Sequence, residues 1–193
     1  MIMELVFATG NKYKVKEISA LLGNSIKLIS LQDLKIPDDI PENFDTLEEN
    51  AMAKARYIHN LTGRDVFADD TGLEIKALGG KPGVYSARFA GEEKNFDRNI
   101  EKVLELMKDV NDREAMFRTI IALIKDNREF LFEGNVKGTI LKERRGNEGF
   151  GYDPIFLPDG YNQTFAEMNL EDKNRISHRA LAFMKLKEFL LRY

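Results

Sequence analysis

The opening stretch limits what this chain can become more than any other. Glu4 to Ala8 is a short apolar run, Thr9-Gly10-Asn11 interrupts it, and Val15, Ile18, Leu21 and Leu22 then fall at helical spacing. A strand that turns into a helix within three residues is the first half of a strand–helix unit, which directs the chain toward an α/β architecture. No basic region precedes the apolar run, so it is expected to be a first strand and not a secretory leader.

Later segments fit the same plan. Ile26 to Ser30 reads as a second strand, and Leu34 to Asp45, rich in proline and acid, as a loop. Thr46 and Glu49 make a capping-box pattern that opens a helix running to about Leu61, with Leu47, Ala51, Ala55 and Ile58 as its apolar stripe. Val66-Phe67-Ala68 predicts a buried strand ending at Asp69-Asp70-Thr71-Gly72. A helix is expected from Phe96 to Met107. Two β-rich runs between Ala115 and Leu141 flank the turn-like Asp126-Asn127 as a hairpin, and Ser177 caps an amphipathic helix reaching Leu191. The expected fold is α/β with a mixed sheet flanked by helices, one domain over residues 1–193, drawn as two lobes with a central cleft.

Composition removes several functions. The chain has 193 residues, no cysteine and two histidines, which excludes disulfides and thiol chemistry, argues against structural zinc, and fits a reducing cytoplasm. Any metal is expected to be a hard cation held by carboxylates. No apolar run approaches the roughly 20 residues that span a bilayer. A net charge of −3 argues against broad nucleic-acid binding.

Four groups of residues carry candidate chemistry. In Thr9-Gly10-Asn11-Lys12-Tyr13-Lys14, a strand-to-helix turn offers backbone amides to a phosphate, with Gly10 allowing unusual backbone angles and close approach. Lysines crowd a helix end that favours acids, a local rule broken where function is expected. The bland alternative is a solvated basic turn. Asp69-Asp70 places two repelling acids together, as magnesium bound to carboxylate and phosphate oxygens would require; the alternative is a hydrogen-bonded turn before Gly72. Lys54 shares a helix face with Asn50 and could reach a phosphate, while Glu42 or Glu49 could complete a metal site. Most such side chains merely solvate a helix. Finally, Phe150 between Gly149 and Gly151 can offer its face to a base, with Tyr152, Asp153, Lys173 and Ser177-His178-Arg179 nearby in the pattern. Taken singly, Phe150 suits a core, His178 a surface or capping role, and Arg179 a salt bridge.

Taken together, these blocks resemble the inosine triphosphate pyrophosphatase family from Leu5 to the last helix. The carriers are Ala8-Thr9-Gly10-Asn11 with Lys14, Glu49-Asn50-Ala51 with Lys54, and Ala68-Asp69-Asp70-Thr71-Gly72-Leu73. Pro82-Gly83-Val84-Tyr85-Ser86-Ala87-Arg88, Gly149-Phe150-Gly151-Tyr152-Asp153-Pro154 and Ile176-Ser177-His178-Arg179 complete them. The resemblance implies an elongated mixed α/β homodimer that cleaves ITP, dITP and XTP between the α and β phosphorus atoms. Thr9 to Lys14 and Lys54 would hold phosphates, Asp70 would be the general base beside Asp69, and Asp70 with Glu42 would bind Mg2+. Thr71, where many relatives carry serine, would touch substrate through its hydroxyl. Phe150 would stack on the purine while Asp153, Lys173, Ser177, His178 and Arg179 read its edge, in a site including Gly151 and Tyr152. Selection would rest on the 6-position, where inosine and xanthine present an acceptor and adenine a donor. Two rival readings are a pyrophosphatase of modified pyrimidines and a nucleotide sensor without turnover.

Overall fold

In β1 (Met3–Phe7) Leu5, Val6 and Phe7 lose all contact with solvent, so this strand is a central one and must be covered on both faces. The computed structural model describes residues 3–22, 26–38, 40 and 42–193. After β1 come α1 (Lys12–Ser19), β2 (Ile26–Ser30), α2 (Leu47–Thr62), β3 (Val66–Ile75), β4 (Pro82–Gly83) and α3 (Phe96–Leu106). They are followed by β5 (Glu114–Lys125), β6 (Arg128–Ile140), β7 (Phe156–Pro158), α4 (Leu170–Ile176) and α5 (His178–Arg192). The strands form one mixed sheet in the order β2-β1-β3-β5-β6-β7, with β4 paired to β3. β1 is parallel to β2 and β3, whereas β4 and β7 run antiparallel to their partners.

The chain divides into two compact units, and β3, β5 and β6 contribute residues to both. The first comprises Met1–Asp70, Thr119–Gly134 and Arg179–Tyr193. Its core gathers Leu5, Phe7 and Phe67 from the sheet with Ile18 of α1 and Ala182, Phe183 and Leu186 of α5. Phe7 and Phe67 are register partners, and their rings stack 4.4 Å apart. The expected stripe of α2 is buried throughout. Thr46 caps this helix by accepting from the Glu49 amide at 3.2 Å, and Gly63 ends it in the left-handed region at φ 64°. The hairpin forms as read: Asp126 (φ 49°) and Asn127 (φ 59°) make the two-residue turn whose positive angles match strand twist.

The second unit comprises Thr71–Arg118 and Asn135–His178. Leu73 and Ile75 of β3, Phe117, Ile140 and Phe156 meet Ile100, Val103 and Met107 of α3 in its core. Four elements differ from expectation, two of them, β4 and β7, being strands too short to show an alternation. β3 does not end at Asp69-Asp70 but continues to Ile75, because Leu73 and Ile75 are fully buried and Leu73 pairs with Gly83. α4 was not anticipated, since seven residues with few buried positions carry too little periodicity to read.

Candidate active site

Adjacent residues of a strand point to opposite faces, so Asp69 and Asp70 enter different surroundings although they are neighbours in sequence. Asp69 is met by the Lys14 ammonium, 2.9 Å from both carboxylate oxygens, and by Arg179 Nε at 3.1 Å. Arg179 also donates through Nη1 to Glu17, and both of those side chains are almost wholly buried. Burial, the largest single influence on Asp69, would raise its pKa. Lys14, Arg179 and Lys54 together outweigh burial and hold this carboxyl far below the usual range. Lys14 is pulled down chiefly by its own burial, against the attraction of Asp69.

Asp70 turns toward Lys54, whose Nζ lies 3.2 Å from Asp70 Oδ1 and 2.6 Å from Glu42 Oε1. Burial pushes the Asp70 carboxyl upward, helped by Glu42 and Asp69 and opposed by Lys54 and Lys14. Lys54 is pulled down by burial, but Asp70, Glu42 and Asp69 outweigh it and leave its pKa raised. Two neighbouring carboxyls are thus driven apart: Asp69 is fixed as an anion, and Asp70 is the one made more basic.

The turn before α1 is more self-contained than its sequence implies. Thr9 Oγ1 accepts from the Asn11 amide, and Asn11 Oδ1 accepts from the amides of Tyr13 (3.0 Å) and Lys14 (3.3 Å). Asn11 is therefore the N-cap of α1, and three of the amides expected to face a phosphate are engaged by the turn itself. The amides of Gly10 and Lys12 lie outside these bonds. Gly10 is needed for space and not for its backbone angles: its φ is not positive, but an added Cβ would sit 2.4 Å from the Asp38 Cβ. Lys12 and Tyr13 are exposed, and the first turn carries no acid.

In the second unit, Asp153 organises a different group. Its Oδ2 accepts from Lys173 Nζ at 2.6 Å and from the Phe150 amide at 2.8 Å. Gly149 must be glycine here, since φ is +74° and a Cβ would fall 2.1 Å from that same oxygen. The Lys173 ammonium also lies over the Phe150 ring, 5.3 Å from its centroid. Tyr152 is buried with its hydroxyl bonded to the Ser86 carbonyl at 2.8 Å, which sets it among the supports of this loop. Ser177 and His178 are buried, and His178 stacks on Phe117 at 4.5 Å, so the surface role first considered for it does not hold. Thr71 is half-buried on the Asp69 side of the strand alternation. Arg179 falls in the first unit with Asp69 and Glu17.

The profile of the Ham1 family matches residues 5–189, a span that holds both groups. The chain belongs to the Ham1 family. A Ham1 protein from Coxiella burnetii has the same architecture, with a TM-score of 0.90 and 39% identity over all of both chains. The Ham1 protein of Staphylococcus aureus gives 0.87 at 38% identity, covering 97% of each chain. The dITP/XTP pyrophosphatase of Christiangramia forsetii is 54% identical over 97% of this chain and 99% of its own. That of Porphyromonas gingivalis is 50% identical over 97% of each.

Sequence reasoning passed over Glu17 in this Ham1 chain. Its signal was present: Lys14, Glu17, Ile18 and Leu21 share one helix face, and an acid on the face that carries the apolar residues needs a buried partner. Phe96 and Asn99 were given no site role either, and Ser86 was named only within the Pro82–Arg88 block, without a role.

Proposed function

We propose that the chain hydrolyses deaminated purine nucleoside triphosphates, ITP, dITP and XTP, to the monophosphate and pyrophosphate. The observation that carries this reading is the divergence of Asp69 and Asp70 within one buried, lysine-bounded cluster. Relatives named dITP/XTP pyrophosphatase match it over nearly the whole chain.

The residues fit a hard divalent cation, Mg2+ in this reading. Glu42 and Asp70 already accommodate a cationic group, the Lys54 ammonium, between them. Among the described residues no group of three or more His, Cys, Asp or Glu could hold a metal. Such a site suits an ion that draws its other oxygens from phosphate and water. When bound there by Asp70 and Glu42, the ion would neutralise phosphate charge.

The chain's own residues do the rest. Asp70, set beside the Lys54 ammonium, takes a proton from the water that attacks the α-phosphorus. Lys14 and Lys54, with Thr9, Gly10, Asn11, Lys12 and Tyr13, stabilise charge building on the phosphate oxygens. Asp69 keeps Lys14 and Arg179 in place. Thr71 contributes its hydroxyl to substrate. Phe150 offers its face to the purine, with Gly151 leaving room beside it. Lys173, Ser177 and His178 favour an acceptor at the purine 6-position, and Asp153 accepts from a base N–H.

A site built on such bonds discriminates by roughly 10⁴–10⁵ when a mismatch leaves buried groups unpaired. Among the described residues no helix is long and apolar enough to cross a membrane. We place the protein in the cytoplasm as a homodimer acting on free nucleotides and not on nucleic acid, in keeping with its net charge of −3. The test is pyrophosphate release from dITP, XTP, dGTP, dATP and dTTP with and without Mg2+. Release confined to dITP and XTP and dependent on the cation is expected; equal rates on all five would remove the base-reading assignment.

A further inference from the structure

The Pro82–Arg88 block carries part of the family resemblance, yet none of its residues takes part in the chemistry above. Its geometry shows what it supports. Ser86 Oγ accepts from the Leu73 amide at 2.8 Å and donates to the Gly83 carbonyl at 2.6 Å, pinning the turn to β3 and β4. The Ser86 carbonyl accepts from the Tyr152 hydroxyl. Asn99 of α3, 2% exposed, clamps the same turn: Nδ2 donates to Ala87 O at 2.9 Å and to Ser86 O at 3.4 Å, while Oδ1 accepts from Ala90 N at 2.7 Å. Phe96, three residues earlier and on the same helix face, lies 5.9 Å from the Phe150 ring.

These contacts converge on a loop that has little stiffness of its own. Gly149 and Gly151 flank Phe150 with φ of +74° and +62°, and glycine resists rotation least of all residues. An aromatic ring so placed loses affinity for a base unless the protein orders it beforehand. Asp153 holds the Phe150 amide, Phe96 touches its ring, and Tyr152 anchors the next turn of backbone to Ser86. α3 therefore supplies two of these three supports, one directly through Phe96 and one through Asn99 and Ser86.

We propose that Asn99 and Ser86 are positioning residues that hold Phe150 in the orientation it needs to stack on a base. They act through Tyr152 and touch no substrate. This rests on the reading of Phe150 as the base platform, so the experiment separates the two. Asn99→Ala and Tyr152→Phe are assayed for dITP turnover well below their melting temperatures, and for inhibition by inorganic triphosphate, which has no base. The KM for dITP is expected to rise about threefold to tenfold, the range of one lost hydrogen bond, with kcat within about twofold and triphosphate inhibition unchanged. An unchanged KM in both variants overturns the proposal, as does a parallel loss of triphosphate affinity, which would mark general loosening.

The platform itself is read by 19F NMR of protein labelled with fluorophenylalanine, the Phe150 signal being assigned through Phe150→Leu. That signal should broaden or split in Asn99→Ala, or in Tyr152→Phe if the first variant does not fold. A signal as narrow as the parent's overturns the positioning role whatever the substrate. Broadening in the variants, with a narrow signal in a parent chain that leaves dITP intact, would sink the functional reading alone.

Discussion

Around Asp69 and Asp70, charges hold charges: Lys14, Arg179 and Glu17 surround one carboxylate, while Lys54 and Glu42 flank the other, all buried or partly buried. Around Phe150 a single buried ion pair, Lys173 with Asp153, supports a ring fixed otherwise by neutral hydrogen bonds and aromatic contact. Removing any member of the first group leaves a buried charge without its counterpart. Removing a member of the second other than Lys173 or Asp153 mostly loosens a ring. In the function proposed above, the first supplies the fixed electrostatics that chemistry at a phosphorus needs, and the second the surface that recognition needs.

The sharpest way to break this contrast is Asp70→Asn. If Asp70 is the base, kcat for dITP should fall by about 10²–10⁴, the span assigned to a lost general base, in a variant that circular dichroism shows to be folded. Near-normal pyrophosphate release would remove Asp70 from its role. Glu17→Met comes next and probes the other carboxylate through stability. Stripping one partner from a buried pair costs about 3–5 kcal/mol, to be read from urea unfolding. The exposed pair of Arg56 with Glu129 is the control, since Glu129→Ala should cost only about 0–1 kcal/mol. Equal effects at the two sites would mean that burial does not decide the matter.

In the aromatic group, Phe150→Ala should weaken dITP binding by about 1–3 kcal/mol, seen as a raised KM with kcat much less affected. A fall in kcat alone would place the ring in the chemistry and erase the distinction. The smallest effect belongs to neither group. Thr46→Ala removes the cap of α2 and should lower stability by about 1 kcal/mol in calorimetry, with KM and kcat unmoved.

What could be read beforehand follows the range of the forces involved. The stripe of α2, its Thr46 cap and the Asp126-Asn127 turn are local, and each was legible because neighbours within a few residues determine it. Asp69-Asp70 and the lysine-rich turn stood out as charge patterns that a soluble surface does not need. Their division of labour did not stand out, because it depends on Lys14 being 55 residues away from one acid and Arg179 being 110 away. The end of β3 was misplaced for a related reason: acids suggest a strand's end, but burial of Leu73 and Ile75 keeps the strand going. Asn99 and Ser86 work through backbone carbonyls, which every residue possesses, so no side-chain pattern could announce the partners they hold.

The continuity of β3 through its two acids also sets a reading frame. Because side chains alternate along the strand, deleting one residue between Val66 and Asp69 would bring Asp70 to the place of Asp69, beside Lys14 and Arg179, move Asp69 to the place of Ala68, and leave Thr71 opposite Lys54. Point changes in this strand alter one letter, whereas a single-residue insertion or deletion inverts the message. Length variation in this chain is therefore admissible at the tip of the β5–β6 hairpin, where two exposed residues make the turn, and inadmissible in the few residues leading into the site.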